Sequence, residues 1–487
     1  MVNSVAKKLE KEFIEIIDLP KDDISWSSVS LSEVLERDNR LEASTFNIDR
    51  AHSIQLLENS KYDLVLLGTK EIGFKDCFYG PRAKRNYLTN IDSTSIGFLG
   101  SSEMLDIYPD PVKFVSHDNS MVDSLSLTEG IILISRSGTI GNVTFVGQTL
   151  SKFLVSEHAI RLVMNEFPGF VYTYLKTDVA QNLLHAEKFG SVILEIEPDA
   201  LKNMLIPNAP ALIKKKIHDL IMDSYANRDE SNRLIDEAAK IMIEELELPP
   251  IDDLKKEAFS YSKEINSFSI KLSDLNGRLE SNYHLPIIKV LENHLREKAD
   301  LVKLENKEIT ENIVLAGVFK RNYVQKGHGY PFLGGKEITQ LSPETDKYLS
   351  KITHKKRYEK ELRVKENWIL VTDRGTIGKV VIVPKHMENM AVSQNVLKIV
   401  PKIYPGYIYC FLNSDYGQIL IKRQSYGSVV NMIDDSSLGD VQIPIIKDRE
   451  IVKKIDCLVL EANELRYQAY KQEQQAIEIM NREVLGL

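Results

Sequence analysis

The stretch IILISRSGTIGNV at residues 131–143 returns as WILVTDRGTIGKV at residues 368–380. Gly138 and Gly375 set an offset of 237 residues between the two copies. The same offset carries Ser156 to Ser393, Pro168 and Gly169 to Pro405 and Gly406, Tyr172 to Tyr409, and Leu175 to Leu412. It runs without a gap to FGSVILEIEPDALKNMLIP, ending at Pro207, and YGSVVNMIDDSSLGDVQIP, ending at Pro444. About a third of the positions in this window are identical, which makes chance a poor explanation.

Upstream the offset drifts by a few residues, as loops of unequal length require. NRLEAS around Arg40 resembles GRLESN around Arg278, KRNY at 84–87 recurs at 320–323, and FLG at 98–100 recurs at 332–334. Downstream the offset becomes 238 and pairs IKKKIHDL at 213–220 with IVKKIDCL at 451–458. Each half is therefore a mixed domain followed by a helical segment, duplicated once and expected to carry internal pseudo-twofold symmetry. The segment before about Ser27 has no repeat partner.

Apolar β-branched residues at 131–134 and 369–372 precede each Gly-Thr-Ile-Gly, and 143–146 and 380–383 follow it, which predicts strand, turn, strand. Further strands fit 158–164 and 395–400, and Pro-Gly then opens a helix through Tyr172 and Leu175, or Tyr409 and Leu412. Beyond the repeats, steps of three and four place Ile213, Ile217, Leu220 and Ile241 on one stripe and Ile451, Ile455, Leu458 and Ile479 on another, the seam of a helix pair. Some 35 residues of helix would make a rod of about 50 Å. Ser224, Asn227 and Ser231 interrupt the first stripe, so that helix should need its twin, and an antiparallel pair suits a twofold relation.

The expected fold is α+β: two homologous domains separated by a pair of long antiparallel coiled-coil helices. The expected boundaries are 1–207 for the first domain with an amphipathic N-terminal helix, 208–261 for the first long helix and linker, 262–444 for the second domain, and 445–487 for the second long helix. Replacing Ile217 and Ile455 by Asp is expected to unpair the helices while leaving each domain folded.

With 487 residues, 43% of them hydrophobic, the chain has room for two to four domains. Its net charge of −8 means that any nucleic-acid surface must be local. Three scattered cysteines, Cys77, Cys410 and Cys457, make no disulfide framework or zinc ribbon and point to a reducing, cytoplasmic setting, with Cys410 and Cys457 on apolar helix positions. No apolar run reaches the length of a membrane span.

Catalytic patterns are missing. There is no Gly-Lys-Ser/Thr of a phosphate loop, no His-Glu-x-x-His, no Gly-x-Ser-x-Gly, and no Asn-Pro-Pro-Tyr or Asp-Pro-Pro-Tyr of an amino-methyltransferase. Basic clusters stand out instead. Arg82, Lys84, Arg85, Asn86 and Tyr87 recur in kind as Lys320, Arg321, Asn322 and Tyr323, joining phosphate-binding cations to side chains able to read base edges. Lys355, Lys356 and Arg357 add a further run without a basic match in the first half, for which a solvated surface is the plain alternative.

Two α+β domains, each with a Gly-Thr-Ile-Gly turn, a Gly-Ser-Val segment leading to Ile-Pro, and a following long helix, resemble the specificity subunit of type I restriction-modification systems. The resemblance runs from Arg40 to the C-terminus. It implies a non-catalytic subunit whose two target-recognition domains each read one half of a bipartite site on double-stranded DNA, the paired helices setting the spacing. Gly138, Thr139 and Gly141, with Gly375, Thr376 and Gly378, would belong to the shared scaffold. The resemblance further implies two methyltransferase subunits using S-adenosylmethionine, and restriction subunits using ATP and Mg. A closely related possibility is a system that fuses methylation and cleavage in one partner. From other classes, a duplicated RNA- or protein-binding scaffold or a stand-alone nuclease remain to be set against it.

Overall fold

A computed structural model describes residues 29–36, 43–82, 84–89, 91–92, 94–190, 194–259, 267–275, 277–340, 342–343, 345–427 and 429–487. The expected N-terminal amphipathic helix and the Arg40 segment of the repeat lie outside the described residues.

The first domain contains β1 (Phe74–Phe78), β2 (Ser95–Leu99), β3 (Phe114–Ser116), β4 (Ile132–Ser135), β5 (Val143–Phe145), β6 (Leu154–Val155) and β7 (Ala159–Met164). They form one sheet in the order β1-β7-β4-β5 and another in the order β3-β2-β6. The first long helix, α3 (Ala211–Glu245), follows α1 (Pro168–Leu175) and α2 (Asp178–Ala186). The second domain contains β8 (Thr310–Val314), β9 (Tyr323–Val324), β10 (Gly329–Leu333), β11 (Tyr348–Ser350), β12 (Ile369–Thr372), β13 (Val380–Ile382), β14 (Ala391–Val392) and β15 (Val396–Pro401). Its helices are α4 (Pro405–Asn413), α5 (Asp415–Arg423) and the second long helix α6 (Arg449–Ile479).

The second domain's sheets run β8-β15-β12-β13 and β9-β11-β10-β14, strand for strand the order of the first domain with β9 added. Even the parallel pairs correspond, β2 with β6 and β10 with β14. The apolar runs before each Gly-Thr-Ile-Gly are buried on both faces. Ile132 and Ile134 face the helical core while Leu133 joins Leu99 and Val155, as period-two alternation dictates. Ile369 and Val371 divide from Leu370 in the same way.

Each domain buries a cation at the same place in its first sheet, and only the first uses it to bridge the two sheets. Arg161 of β7 donates to Val155 O (2.7 Å) and Leu125 O (3.2 Å), tying its sheet to the second layer. Its counterpart, Lys398 of β15, is 1% exposed, and its Nζ has no hydrogen-bond partner among the described residues. Burial pulls the Lys398 ammonium down from 10.5 to about 8.

The long helices run antiparallel along each other. Lys216 Nζ meets Glu483 (3.2 Å), Asn227 Nδ2 donates to Gln472 (2.9 Å), and Asn232 meets Arg466. The polar interruptions of the first helix are used in this pairing, Ser224 Oγ donating to Ala469 O at 2.7 Å. Near the N-terminal half of α3, Glu473 is fully buried. Its burial would raise its pKa, but Arg228 and then Lys176 outweigh that and hold its carboxyl below the ordinary range. The repeat offset places Ile235 where Glu473 stands.

The pair is not a bare strut between two bodies, and this corrects the expectation of domains separated by it. Ile217, Ile221 and Tyr225 pack in the first domain's core together with Ala476, Ile479, Val484 and Leu485 from the far end of the chain. Leu234, Ala238 and Met242 pack in the second core with Val452, Ile455, Val459 and Ala462. A helix covered by a domain on one side and its twin on another buries a wider stripe than a two-stranded seam. Ile213, Leu220, Ile241, Ile451 and Leu458 accordingly lie half-buried at its margins, and Cys457, expected on an apolar position, is exposed. Pro249 and Pro250 follow the end of α3, and the short helix Ile251–Ala258 buries Leu254 in the second core.

Close approach explains the Pro-Gly pairs. A Cβ on Gly169 would lie 2.9 Å from His218 Cα of α3, and one on Gly406 would lie 2.6 Å from Asp456 O of α6. The domains also touch directly. Ile107 N donates to Thr339 O (2.9 Å), Lys379 Nζ bonds Asp106 (3.0 Å), Thr339 Oγ1 also donates to Asp106, and Asp106 and Gln340 form an antiparallel bridge. Gly100 through Asp106 align with Gly334 through Gln340, so the bridged residues are counterparts in the repeat.

Ile217 and Ile455 are fully buried in the domain cores, so the expectation that Asp there would leave the domains folded is replaced. Either substitution should destabilise the chain by more than about 3 kcal/mol, read as a large drop in thermal midpoint with loss of near-ultraviolet signal from the domain carrying it. Lys398→Met should raise the midpoint at pH 7. Below about pH 8 the folded chain carries the full cost of the buried ammonium; between about 8 and 10.5 it sheds that proton before the unfolded chain does, so stability climbs with pH. The substitution should remove that climb, of order 3 kcal/mol, in unfolding titrations across the window.

Candidate nucleic-acid interface

Each domain ends β4 or β12 in a turn that demands glycine. Gly138 and Gly141 have φ of 77° and 89°, Gly375 and Gly378 have 75° and 87°, all in the left-handed region. Gln181 of α2 and Gln418 of α5 hold the turns by donating to Gly141 O (2.9 Å) and Gly378 O (2.7 Å). Thr139 and Thr376 are exposed at the tips. The turns lie beside the contact between domains: Thr139 and Asn142 share a cavity with Lys336 and Gln340, and Lys379, directly after Gly378, bonds Asp106. Their position is that of a joint.

From the strand end before each turn, a backbone hydrogen bond fixes the loop that leads into β7 or β15. Arg136 N donates to His158 O (2.7 Å), and Asp373 N donates to Asn395 O (3.1 Å). Ser137 Oγ reaches His158 Nδ1 at 2.8 Å. Arg136 is held by Glu195 (2.8 Å) and Glu197 (2.5 Å) and lies over Tyr79. Its counterpart is the buried Asp373, whose carboxyl burial pushes up, with Arg374 at 2.9 Å.

The KRNY clusters come to this loop. Arg85 lies 5.0 Å over the Phe98 ring and pairs with Glu157, the residue before His158. Arg321 lies 5.4 Å over the Phe332 ring and donates to Gln394 (2.6 Å), the residue before Asn395. Tyr87 and Tyr323 pack against the same two phenylalanines, with centroids 5.9 and 6.2 Å apart. Lys84, Asn86, Lys320 and Asn322 are exposed around these platforms, and Arg82 is 71% exposed and 3.8 Å from Glu195.

In the second domain another run joins the cluster. Arg357 lies over Phe319 and donates to Gly317 O (3.2 Å) and Glu361 (2.6 Å), which sets the exposed Lys355 and Lys356 beside the loop that carries Lys320. The connection between β3 and β4 occupies the corresponding stretch of the first domain and contains no Lys or Arg. Glu157, Gln394, Phe98 and Phe332 were not singled out from sequence. The offsets that pair Ser156 with Ser393 and FLG with FLG do identify them as counterparts. Among the described residues, no group of three or more His, Cys, Asp or Glu is placed to hold a metal ion, and no helix is long and apolar enough to cross a membrane.

Residues 298–472, which contain the second platform, match the family model of the type I restriction modification DNA specificity domain. That stretch of the second half is similar to such a specificity domain. Solved structures similar to the chain include the S subunit of a type I restriction-modification system from M. genitalium, at 15% identity over 88% of this chain and 96% of that one, with a TM-score of 0.30. They also include an HsdS subunit from Thermoanaerobacter tengcongensis, at 15% identity, 87% and 97% coverage and a TM-score of 0.27. A third comes from work on complex assembly and conformational transition of a type I restriction-modification system, at 16% identity, 86% and 97% coverage and a TM-score of 0.26. No curated protein matches the chain.

Lys84 and Lys320 are solvent-facing cations beside the two Arg-on-Phe platforms, where phosphate contacts are expected from the sequence. Lys84→Ala and Lys320→Ala should each weaken duplex binding about equally for all sequences and lower the slope of log K against log salt by roughly 1, measured by titrating the full chain with duplex DNA at several salt concentrations.

Proposed function

We propose that the chain is the non-catalytic DNA-recognition subunit of a type I restriction-modification complex. Each domain reads one half of a bipartite, gapped site, and partner subunits supply methylation with S-adenosylmethionine and restriction with ATP and Mg. The observation that carries this reading is the recurrence of one Arg-on-Phe platform in two domains of the same strand order, one of which matches the specificity-domain family.

A pseudo-twofold relation between the halves is supported by the antiparallel helices and by the bridge between the counterparts Asp106 and Gln340. Such a relation presents two readers to one duplex in opposite senses, as dimeric DNA-binding proteins do. Because both domains bury parts of both helices and touch at Asp106, the gap is set by the whole frame rather than by the helices alone. Two methyltransferase subunits would dock on the paired helices and the recognition domains. With Lys355, Lys356 and Arg357 added, the second domain carries the greater share of the electrostatic attraction.

Methylome sequencing of the source strain with and without the gene tests the reading. Deletion should erase methylation at one split motif with a fixed gap; methylation that persists, or that is lost at continuous motifs, counts against it.

A further inference from the structure

The two platforms share their geometry and differ in the residue that holds the arginine. Arg85 Nη2 bonds Glu157 Oε2, and Arg321 Nη2 bonds Gln394 Oε1 at 2.6 Å. Glu157 is recessed, its side chain 7% exposed against 27% for Arg85. The carboxylate therefore grips the guanidinium from behind, and the arginine faces outward.

We propose that Arg85 and Arg321 are base-reading side chains, each recognising one guanine in its half-site, and that residues 157 and 394 are positioning residues which set how strictly each does so. This inference rests on the DNA-recognition reading above. A guanidinium laid on an aromatic ring and fixed through one Nη can no longer rotate freely, so its remaining N–H groups keep a constant direction. A planar, directed pair of donors complements guanine, which offers N7 and O6 side by side in the major groove, and no other base shows two adjacent acceptors there. A lysine in the same place would keep the charge and lose the fork.

The holding residues separate the two sites. Glu157 forms a charge-assisted bond that is stronger than a neutral one and cancels much of the charge that would otherwise draw Arg85 to a phosphate. Gln394 is neutral, so Arg321 is held more loosely and keeps its full attraction for the backbone. The first guanine is therefore read strictly and the second leniently. If the frame is pseudo-twofold, the two guanines lie on opposite strands.

The test is selection of a randomised duplex library by the full chain, with Arg85→Lys, Arg321→Lys, Glu157→Gln and Gln394→Glu compared with the unchanged protein at matched thermal midpoints. The expected result is a split motif with one guanine in each half, the two on opposite strands. Arg85→Lys should lower preference for the first guanine roughly tenfold or more and leave the second intact, with Arg321→Lys doing the converse. Glu157→Gln should relax the first position at nearly constant total affinity, and Gln394→Glu should sharpen the second. A split motif that neither arginine substitution alters, or a loss of affinity that is equal for all sequences, would overturn the inference and leave the function standing. Enrichment of no motif by the unchanged chain would overturn the function itself.

Discussion

The structure depends on two helices that are shared rather than owned. α3 gives Ile217 and Ile221 to the first core and Leu234 to Met242 to the second, and α6 gives Val452 to Ala462 to the second core and Ala476 to Ile479 to the first. Fully burying one such aliphatic side chain contributes about 1.5–3 kcal/mol, so removing a helix would empty both cores at once. The polar contacts at Ser224, Asn227 and Glu473 add selectivity of alignment, because sliding the helices would strand a buried carboxylate away from Arg228 and Lys176.

Within this frame the duplication has been used unequally. Where the first domain surrounds its end of the pair with Tyr172, Lys176, Arg228 and Glu473, the second has Ile235 at the place of Glu473. Where the first ties its sheets with a hydrogen-bonded Arg161, the second buries Lys398 without a hydrogen-bond partner among the described residues. The platform arginines are the reverse case, with geometry retained on both sides and only the holding residue changed. The frame thus tolerates polar exchanges in its interior while the geometry of the two platforms is retained.

Much of this was legible in the sequence because it is carried by local periodicity and by the repeat. The strands around Gly-Thr-Ile-Gly, the helices opened by Pro168 and Pro405, and the long helices all follow from spacing within about 40 residues or less. The alignment of KRNY with KRNY also located the arginines that the structure places on Phe98 and Phe332. What could not be read depends on contacts between residues far apart in the chain. Steps of three and four cannot reveal that a helix is covered from two sides, so Ile213, Leu220, Ile241, Ile451 and Leu458 were assigned to a seam whose buried centre is Ile217, Ile221, Val452 and Ile455. The repeat offset pairs Glu157 with Gln394, but their contact with an arginine some 70 residues earlier is set by the tertiary fold and not by local spacing.

The last residues of the chain have a further consequence. Val484 and Leu485 are buried against Leu57 and its neighbours in the core formed by the first half, and Ser60 donates to Val484 O. Synthesis must therefore pass Leu485 before the first domain can close, and until then the apolar surface those residues cover stays open.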